Sequence, residues 1–285
     1  MIPSLYNGIT ALKSISQGLQ ILGNNIANVN SLGYKSSRAN YSDNFYLHLN
    51  DAESGADGEP SNNIQQHGTG VHVGSVSSNF NQGTIEVTGL DLDLAIQGEA
   101  LPNAGGFFEV ADPVTGELFY SRAGAFEATN EGFVVTRDQY RYQLQGVDNA
   151  LTVAVPDTQT LLARRVEEDG VINLVVYDST QKKDIVSRMG QVKLVNFLSP
   201  QYLRRVGNGF YSNGRAGQNI AGISANPVPA TGSNGKIKQY ALEMSNVDLT
   251  NEFASMISHQ RSFQAGSRVV TTSDMILKEA VNLKR

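Results

Sequence analysis

Apolar residues recur at seven-residue steps near both ends of the chain. In the first 30 residues they are Leu5, Leu12, Leu19 and Ile26, flanked by Ile15 and Leu22. In the last 40 residues they are Leu249, Met256, Phe263, Val270 and Leu277, flanked by Phe253. A seven-residue repeat kept over four or more turns is typical of α-helices that pack side by side as in a coiled coil. The pattern therefore predicts one long helix over residues 4–29 and a second over the last 40 residues.

Capping signals set the expected helix ends. Ser4 is a suitable N-cap for the first helix, because a serine hydroxyl accepts a bond from a free N–H of the first turn. Ser245 and Asp248 have the spacing of a capping box and predict that the second helix opens there. Gly33 follows an Asn-rich stretch and predicts a left-handed turn after the first helix.

The polar face of the first helix is almost uncharged. Lys13 is the one charged residue between Ser4 and Tyr34, whereas a solvated helix normally carries Lys and Glu on its polar face. Two interpretations stay open: the helices pack as a hairpin on the β core of a monomer, or they bind other subunits. We favour self-assembly, with the twelve apolar residues named above as the interface.

The period changes to two in the middle of the chain. Apolar residues alternate through residues 71–76, 92–96, 108–110, 118–120 and 174–176, and Gly- and Asn-containing turn signals separate these stretches. Short alternating runs between such turns predict an all-β barrel or sandwich. The acidic, Gly-bearing residues 51–63 predict a flexible loop, and the Gly-rich residues 214–235 predict a return connection.

Together these patterns predict an α+β multi-domain protein. Its long N- and C-terminal helices would pair as a coiled-coil-like α domain made of residues 1–33 and 245–285. Residues 34–80 and 212–244 would form a connecting arm, and residues 81–211 an all-β outer domain of barrel or sandwich type.

The amino-acid composition of the chain excludes several classes of function. The net charge of −5 gives no basic surface for nucleic acid, and the absence of Cys excludes disulfides and thiolate metal sites. No run of about 18 apolar residues predicts a membrane span, and the first residues lack the basic start of a cleavable signal peptide. Asp91 and Asp93 could act as an acid/base pair, but a solvated strand face is the simpler interpretation. We therefore expect no enzyme activity and no cofactor.

Five stretches along the chain read as motifs. They are NNIANVNSLGYK at 24–35, GLDLDLAIQG at 89–98, YSRAGAF at 120–126 and, near the other end, ALEMSNVDL at 241–249 with QRSFQA at 260–265. In this order they resemble the motifs of the bacterial flagellar rod and hook protein family. The residues that carry the match near the two chain ends are Asn24, Asn25, Asn28, Gly33, Lys35, Ser245, Asn246, Asp248, Gln260 and Arg261.

The resemblance implies a structural subunit of the flagellar axial structure that assembles into a helical tube. The tube would transmit motor torque and enclose the export channel, and the chain would reach it without a cleaved signal peptide. Implied partners are copies of itself, other rod, hook and hook–filament junction proteins, the export apparatus, and a rod cap or hook cap.

The position within the flagellum stays open at this level. Residues 65–71 and the 282–285 ending resemble the hook protein, whereas the 285-residue length and single modest β region resemble the distal rod. We lean slightly toward a short hook-type protein. A proximal-rod subunit is an alternative. A secreted β-domain that binds polysaccharide is a second one, although the chain has no Trp to stack on sugars.

Overall fold

The structure is a computed structural model. It describes residues 2–51, 63–98, 106–147, 151–153, 159–178, 183–214, 221–223, 229 and 235–283. The predicted loop over 51–63 and the predicted connection over 214–235 lie largely outside the described residues, as do Lys284 and Arg285.

Two long helices lie at the chain ends, and strands form most of what lies between them. The helices are α1 (Ile2–Ala27) and α2 (Leu249–Asn282), and a short 3₁₀ helix spans Pro200–Tyr202. The strands are β1 (Ser37–Asp43), β2 (Tyr46–Asn50), β3 (Gln65–Gly68), β4 (Val71–Ser78), β5 (Ile85–Val87), β6 (Leu94–Gln97), β7 (Phe107–Ala111), β8 (Leu118–Ser121), β9 (Phe126–Ala128), β10 (Val134–Thr136), β11 (Gln143–Leu144), β12 (Gln159–Val166), β13 (Val171–Asp178), β14 (Lys183–Gln191), β15 (Leu194–Val195), β16 (Arg204–Gly207), β17 (Phe210–Ser212), β18 (Lys236–Gln239) and β19 (Ala241–Glu243). The α+β class is as predicted.

The chain divides into two units. The helical unit contains Met1–Ala27, Ser37–Ser78 and Asp248–Arg285, and the β unit contains Asn28–Ser36 and Asn79–Val247. The predicted three-part division into α domain, arm and outer domain stays a prediction.

In the helical unit, strands β1–β4 accompany the two helices. β1 pairs antiparallel with β4, and β2 pairs antiparallel with β3. Side chains of α1 bond to the strand segments: Asn7 Nδ2 donates to Gly68 O at 3.2 Å, and Ser14 Oγ donates to Val71 O at 2.9 Å. Most of the first part of the predicted arm, over β1 and β2, is therefore extended.

In the β unit, the largest sheet has the order β16-β17-β8-β7-β11-β10-β9, and β15 also pairs with β7. Strands β12, β13 and β14 form a separate antiparallel sheet, and two short pairs join β18 to β6 and β19 to β5. The alternating apolar residues of β6, β7, β10 and β13 fill one core, and a second core is rich in aromatic rings. Strands β12 and β14 were not predicted, because polar residues interrupt their alternation.

The predicted N-caps Ser4 and Ser245 are wrong, whereas Asp248, the other residue of the predicted capping box, does cap a helix. Ser4 lies inside α1, which begins at Ile2. Asp248 alone caps α2: its Oδ1 accepts from Thr250 N at 2.9 Å and from Asn251 N at 3.4 Å. Gly33 does adopt a left-handed conformation, with φ +62°, although α1 has already ended at Ala27.

Candidate functional site: the helix pair and the buried motif cluster

Helices α1 and α2 pack against each other in opposite directions. Near one end of the pair, Ser4 Oγ lies 3.3 Å from Ser273 Oγ, and near the other end Asn25 Nδ2 donates to Glu252 Oε1 at 3.2 Å. As the α1 number rises the α2 number falls, so the pair is antiparallel.

Small residues line this seam. A Cβ built on Gly8 would lie 2.9 Å from Val270 Cγ2, and one built on Gly266 would lie 3.3 Å from Leu12 Cδ2. Glycine lets two helix backbones approach closely because no side chain separates them. The seam is thus built from Gly, Ser and Asn positions beside the predicted apolar stripes, rather than from the stripes alone.

Gly18 makes room for a ring pair from β1 and α2. Tyr41 Oη and His259 Nε2 are 3.0 Å apart, and a Cβ on Gly18 would lie 2.0 Å from that hydroxyl. His259 Nδ1 lies 2.8 Å from Ser255 O, and since a carbonyl oxygen can only accept, Nδ1 carries the proton there. In the neutral imidazole, Nε2 therefore accepts from the Tyr41 hydroxyl. Burial raises the pKa of Tyr41.

The predicted self-assembly residues are half-buried or exposed in the protomer. Leu249 and Phe263 are each 39 % exposed and Phe253 is 48 % exposed. The half-buried members are Leu5, Leu12, Ile15, Leu19, Leu22, Ile26, Met256, Val270 and Leu277. Ile257, which is 53 % exposed, extends the exposed apolar surface beyond the twelve predicted residues. Their role in self-assembly stays a prediction.

The motif residues of the β unit meet around the carboxylate of Glu243. Lys35 Nζ lies 2.6 Å from Glu243 Oε1, and Arg122 Nη1 lies 3.4 Å from Oε2. Gly83 N also donates to Oε1 at 2.8 Å, and Lys35 Nζ donates to Asn81 O at 2.8 Å. All three charged side chains are buried. The carboxylate therefore links segments that are far apart in sequence.

The surroundings of Lys35 in this cluster disfavour the charged form of its side chain. Burial first, and the positive charge of Arg122 second, lower the pKa of Lys35 to about 8, against the opposing attraction of Glu243. The guanidinium of Arg122 also lies over the Phe107 ring, 4.9 Å from its centroid. Such contacts between a cation and an aromatic face stabilise a buried charge.

Arg205 holds the segment that carries Lys35. Its Nη2 donates to Lys35 O, and its guanidinium lies 5.1 Å from the centroid of the Tyr34 ring. Gly33 N donates to Glu243 O at 2.8 Å, and a Cβ on Gly33 would lie 2.6 Å from Ala123 N. This close approach and the positive φ both require glycine. Gly33, Tyr34 and Lys35 of the first motif are thus each held by a contact within the β unit.

Such a cluster can hold segments together but presents no open face to a substrate. Its charged groups are paired and shielded from solvent, and removing one partner of a buried ion pair is strongly destabilising. Sequence reasoning missed Glu243 and Arg122 as site residues. Their signal was a charged residue at the end of a short apolar strand: Glu243 is the last residue of β19, and Arg122 directly follows β8.

The other motif residues fall into two groups. Asn25 and Asn246 bond to backbone groups of Ser37 and Ser36, respectively. Asn28 Oδ1 accepts from Ser31 Oγ at 3.1 Å, and Ser245 Oγ accepts from Val247 N at 3.3 Å. By contrast, Asn24, Gln260 and Arg261 lie exposed on the helices.

The interpretation of the aspartate pair as a solvated strand face is wrong for Asp93. This side chain is buried, with Oδ1 2.9 Å from Arg137 Nη2 and Oδ2 accepting from Thr88 Oγ1 at 2.6 Å. The bonds explain why an aspartate stands in this apolar stretch: it ties the start of β6 to two neighbouring segments.

Among the described residues, no group of three or more His, Cys, Asp or Glu side chains is arranged to hold a metal ion. Within the same residues, no helix is both long enough and apolar enough to cross a membrane.

Comparison with known proteins matches three flagellar family descriptions along the chain. Residues 5–35 match the flagella basal body rod protein family, residues 95–174 the flagellar hook protein FlgE/F/G D1 domain, and residues 238–283 the C-terminal region of flagellar basal body rod FlgEFG proteins. The flagellar basal-body rod protein FlgG of Bacillus subtilis is 36% identical over 287 aligned residues, which cover 100% of both chains.

The chain belongs to the flagellar basal-body rod and hook protein family. The resemblance inferred from the motifs is therefore confirmed, and the chain is a structural subunit of the rod or hook of the bacterial flagellum. FlgG of Caulobacter vibrioides is 30% identical over 96% of this chain and 99% of the relative. The flagellar hook protein FlgE of Treponema pallidum is 29% identical over 67% of this chain but 35% of the relative.

Proposed function

We propose that this family member is a subunit of the distal rod. The observation that carries the proposal is the end-to-end alignment with FlgG relatives, which leaves no unmatched outer region. The hook relative, in contrast, is covered over 35% of its length. This difference favours the distal rod over the short hook-type protein toward which the sequence motifs leaned.

Self-assembly through the terminal helices is the proposed route to a tube. The helices would pair in a coiled-coil-like manner within each subunit and bury their exposed apolar side chains against neighbouring copies. Burying the remaining surface of a half-exposed Phe or Ile contributes about 1 kcal/mol at roughly 25 cal/mol/Å². Because each gain is small, several such contacts per subunit are needed, and the polymer forms cooperatively. The tube transmits torque and encloses the export channel, and the subunit has no enzymatic role.

The strands β2 and β3 are a second candidate contact with neighbouring copies. All residues of these two strands are exposed, and Phe45 beside them is 94 % exposed. An isolated two-stranded hairpin is marginally stable in water, so a neighbour that covers it would stabilise it. In this proposal, residues 1–33 with 245–285 form the inner layer, residues 34–80 with 212–244 the arm, and residues 81–211 the outer layer.

The remaining proposed partners follow from that position. They are the adjoining rod and hook proteins, the hook–filament junction proteins, the export apparatus that delivers the chain, and a rod or hook cap at the growing end.

A paired substitution tests the assembly surface. Phe253→Ser with Ile257→Ser should leave the folded protomer intact and lower the polymer yield at least tenfold in sedimentation assays. Val114→Ser, at a side chain of the β unit that is 90 % exposed, is the matched control and should polymerise like the unchanged chain. Normal polymers from the double variant would refute this surface.

Electron cryotomography tests the position. A tagged chain expressed in its own bacterium should give extra density on the distal part of the rod. Density on the hook instead would overturn the distal-rod assignment while leaving family membership untouched.

A further inference from the structure

The chain passes between the two units at four points, after residues 27, 36, 78 and 247. The first and last family motifs lie beside three of these points. Ser36 and Ser37 are consecutive residues that belong to different units. The contacts on each side of this point can be followed separately, because each set lies within one unit.

On the β-unit side, Asn246 holds the segments that lead to the crossing points. Ser36 N donates to Asn246 Oδ1 at 2.8 Å, and Asn246 Nδ2 donates to Asn79 O at 2.9 Å and to Asn81 O at 3.0 Å. The backbones are also bonded to one another: Asn79 N donates to Ser36 O at 2.8 Å, and Asn246 N donates to Tyr34 O at 3.3 Å. One amide therefore joins the ends of three segments.

On the helical-unit side, Asn25 has the corresponding role. Asn25 is fully buried, and its side-chain amide bonds to both backbone polar groups of Ser37. Ser37 N donates to Oδ1 at 3.0 Å, and Nδ2 donates to Ser37 O at 2.8 Å. The same Nδ2 donates to Glu252 Oε1 at 3.2 Å. Asn25 thus joins the end of α1, the start of β1 and the first turns of α2.

We propose that Asn25 and Asn246 are two backbone clamps that fix consecutive residues, Ser36 and Ser37, where the chain passes from one unit to the other. Asparagine suits both positions because its amide offers a donor and an acceptor at once, whereas aspartate at neutral pH offers acceptors only. In this view, the Asn positions of the two motifs serve the fold of one subunit rather than contacts between subunits.

The inference goes beyond the proposed rod function and does not depend on it, because both clamps act in the isolated protomer. It also separates the two asparagines from the exposed motif residues Asn24, Gln260 and Arg261, which have no part in the clamps.

Site-resolved amide hydrogen exchange on the full chain tests the clamps. Exchange reports local opening at individual N–H groups. In Asn246→Ala, the Ser36 amide should exchange at least tenfold faster while the Ser37 amide changes less than threefold. Asn25→Ala should give the reverse pattern. Asn30→Ala is the matched control, since Asn30 is an exposed residue of the same motif and should leave both amides unchanged.

Global unfolding must be distinguished from local release. The Leu144 amide, which lies in the β core, should keep its protection in Asn246→Ala. If that variant unfolds, Asn246→Asp is used instead, because it keeps the acceptor and should retain Ser36 protection while exchange rises in the 79–81 segment. Unchanged exchange at Ser36 and Ser37 in the alanine variants, or equal acceleration in Asn30→Ala, would overturn the proposal.

Discussion

The helix pair and the Glu243 cluster use their side chains in opposite ways. Along the helices, small and polar residues such as Gly8, Gly266 and Ser273 meet inside the pair, and large apolar ones such as Phe253 and Ile257 remain exposed. Around Glu243, charged side chains are buried and paired, and the surrounding strands carry the apolar core. In the protomer, the cluster is closed, whereas the helix pair leaves apolar surface for a further partner.

This contrast assigns different consequences to mutations in the two regions. A change in the cluster should destabilise the protomer itself. A buried charge that loses its partner stays uncompensated, because water does not reach it. A change on the exposed helix surface should spare the protomer and act on assembly. Three measurements test this contrast, in order of decreasing change in stability.

Glu243→Gln should destabilise the β unit by about 3–5 kcal/mol, since it leaves Lys35 and Arg122 without their shared carboxylate. Urea unfolding followed by near-UV circular dichroism of the core tyrosines measures the loss. Glu127→Gln is the matched control, because the Glu127–Arg141 pair is solvent-exposed and should change stability by less than about 0.5 kcal/mol. Equal, small effects of the two substitutions would contradict the central role of Glu243.

Stability should depend on pH through Lys35. Its pKa is about 8 in the folded chain, against an ordinary value of 10.5. Between these values the unfolded chain binds a proton that the folded chain has released. The contribution of Lys35 to stability therefore rises with pH across this window, by up to about 1.4 kcal/mol per pH unit.

Urea unfolding of the unchanged chain and of Lys35→Met at pH 7.5, 8.5 and 9.5 tests this dependence. The difference in unfolding free energy between the two should increase with pH in favour of the unchanged chain. Parallel pH profiles would mean that Lys35 keeps an ordinary pKa in the folded state.

Two glycines of α1 should respond in opposite directions to alanine. Gly23→Ala should stabilise the helical unit by about 1 kcal/mol through helix propensity, because no described atom lies within 4 Å of the new Cβ. Gly18→Ala should instead destabilise it by about 1 kcal/mol by displacing Tyr41 from His259. Thermal unfolding followed at 222 nm compares them, and equal stabilisation by both would show that the seam at Gly18 is not tight.

The terminal helices were predictable because their signal is local and long. A seven-residue repeat can be read from Leu5 to Ile26 without knowing any partner, and alternation identified strands such as β7 and β13 in the same way. Strands β12 and β14 were not predicted, because residues such as Arg164, Arg165 and Arg188 interrupt the alternation of apolar residues. The helix caps could not be assigned from the sequence either. Ser4, Ser245 and Asp248 all suit a cap, and residue propensity does not choose among them.

Patterns in the amino-acid sequence were enough to predict the class of fold, the two end helices and, through the ordered motifs, the family. The folded structure was needed to show that Lys35, Arg122 and Glu243 share one buried site, that Asp93 is paired rather than solvated, and that Gly and Ser positions form the helix seam. The physical reason is distance along the chain. Helix periodicity is set by neighbours three or four residues apart. The ion pairs of Asp93 and Glu243 and the contacts between the helices join residues 44 to 269 positions apart and leave no local pattern.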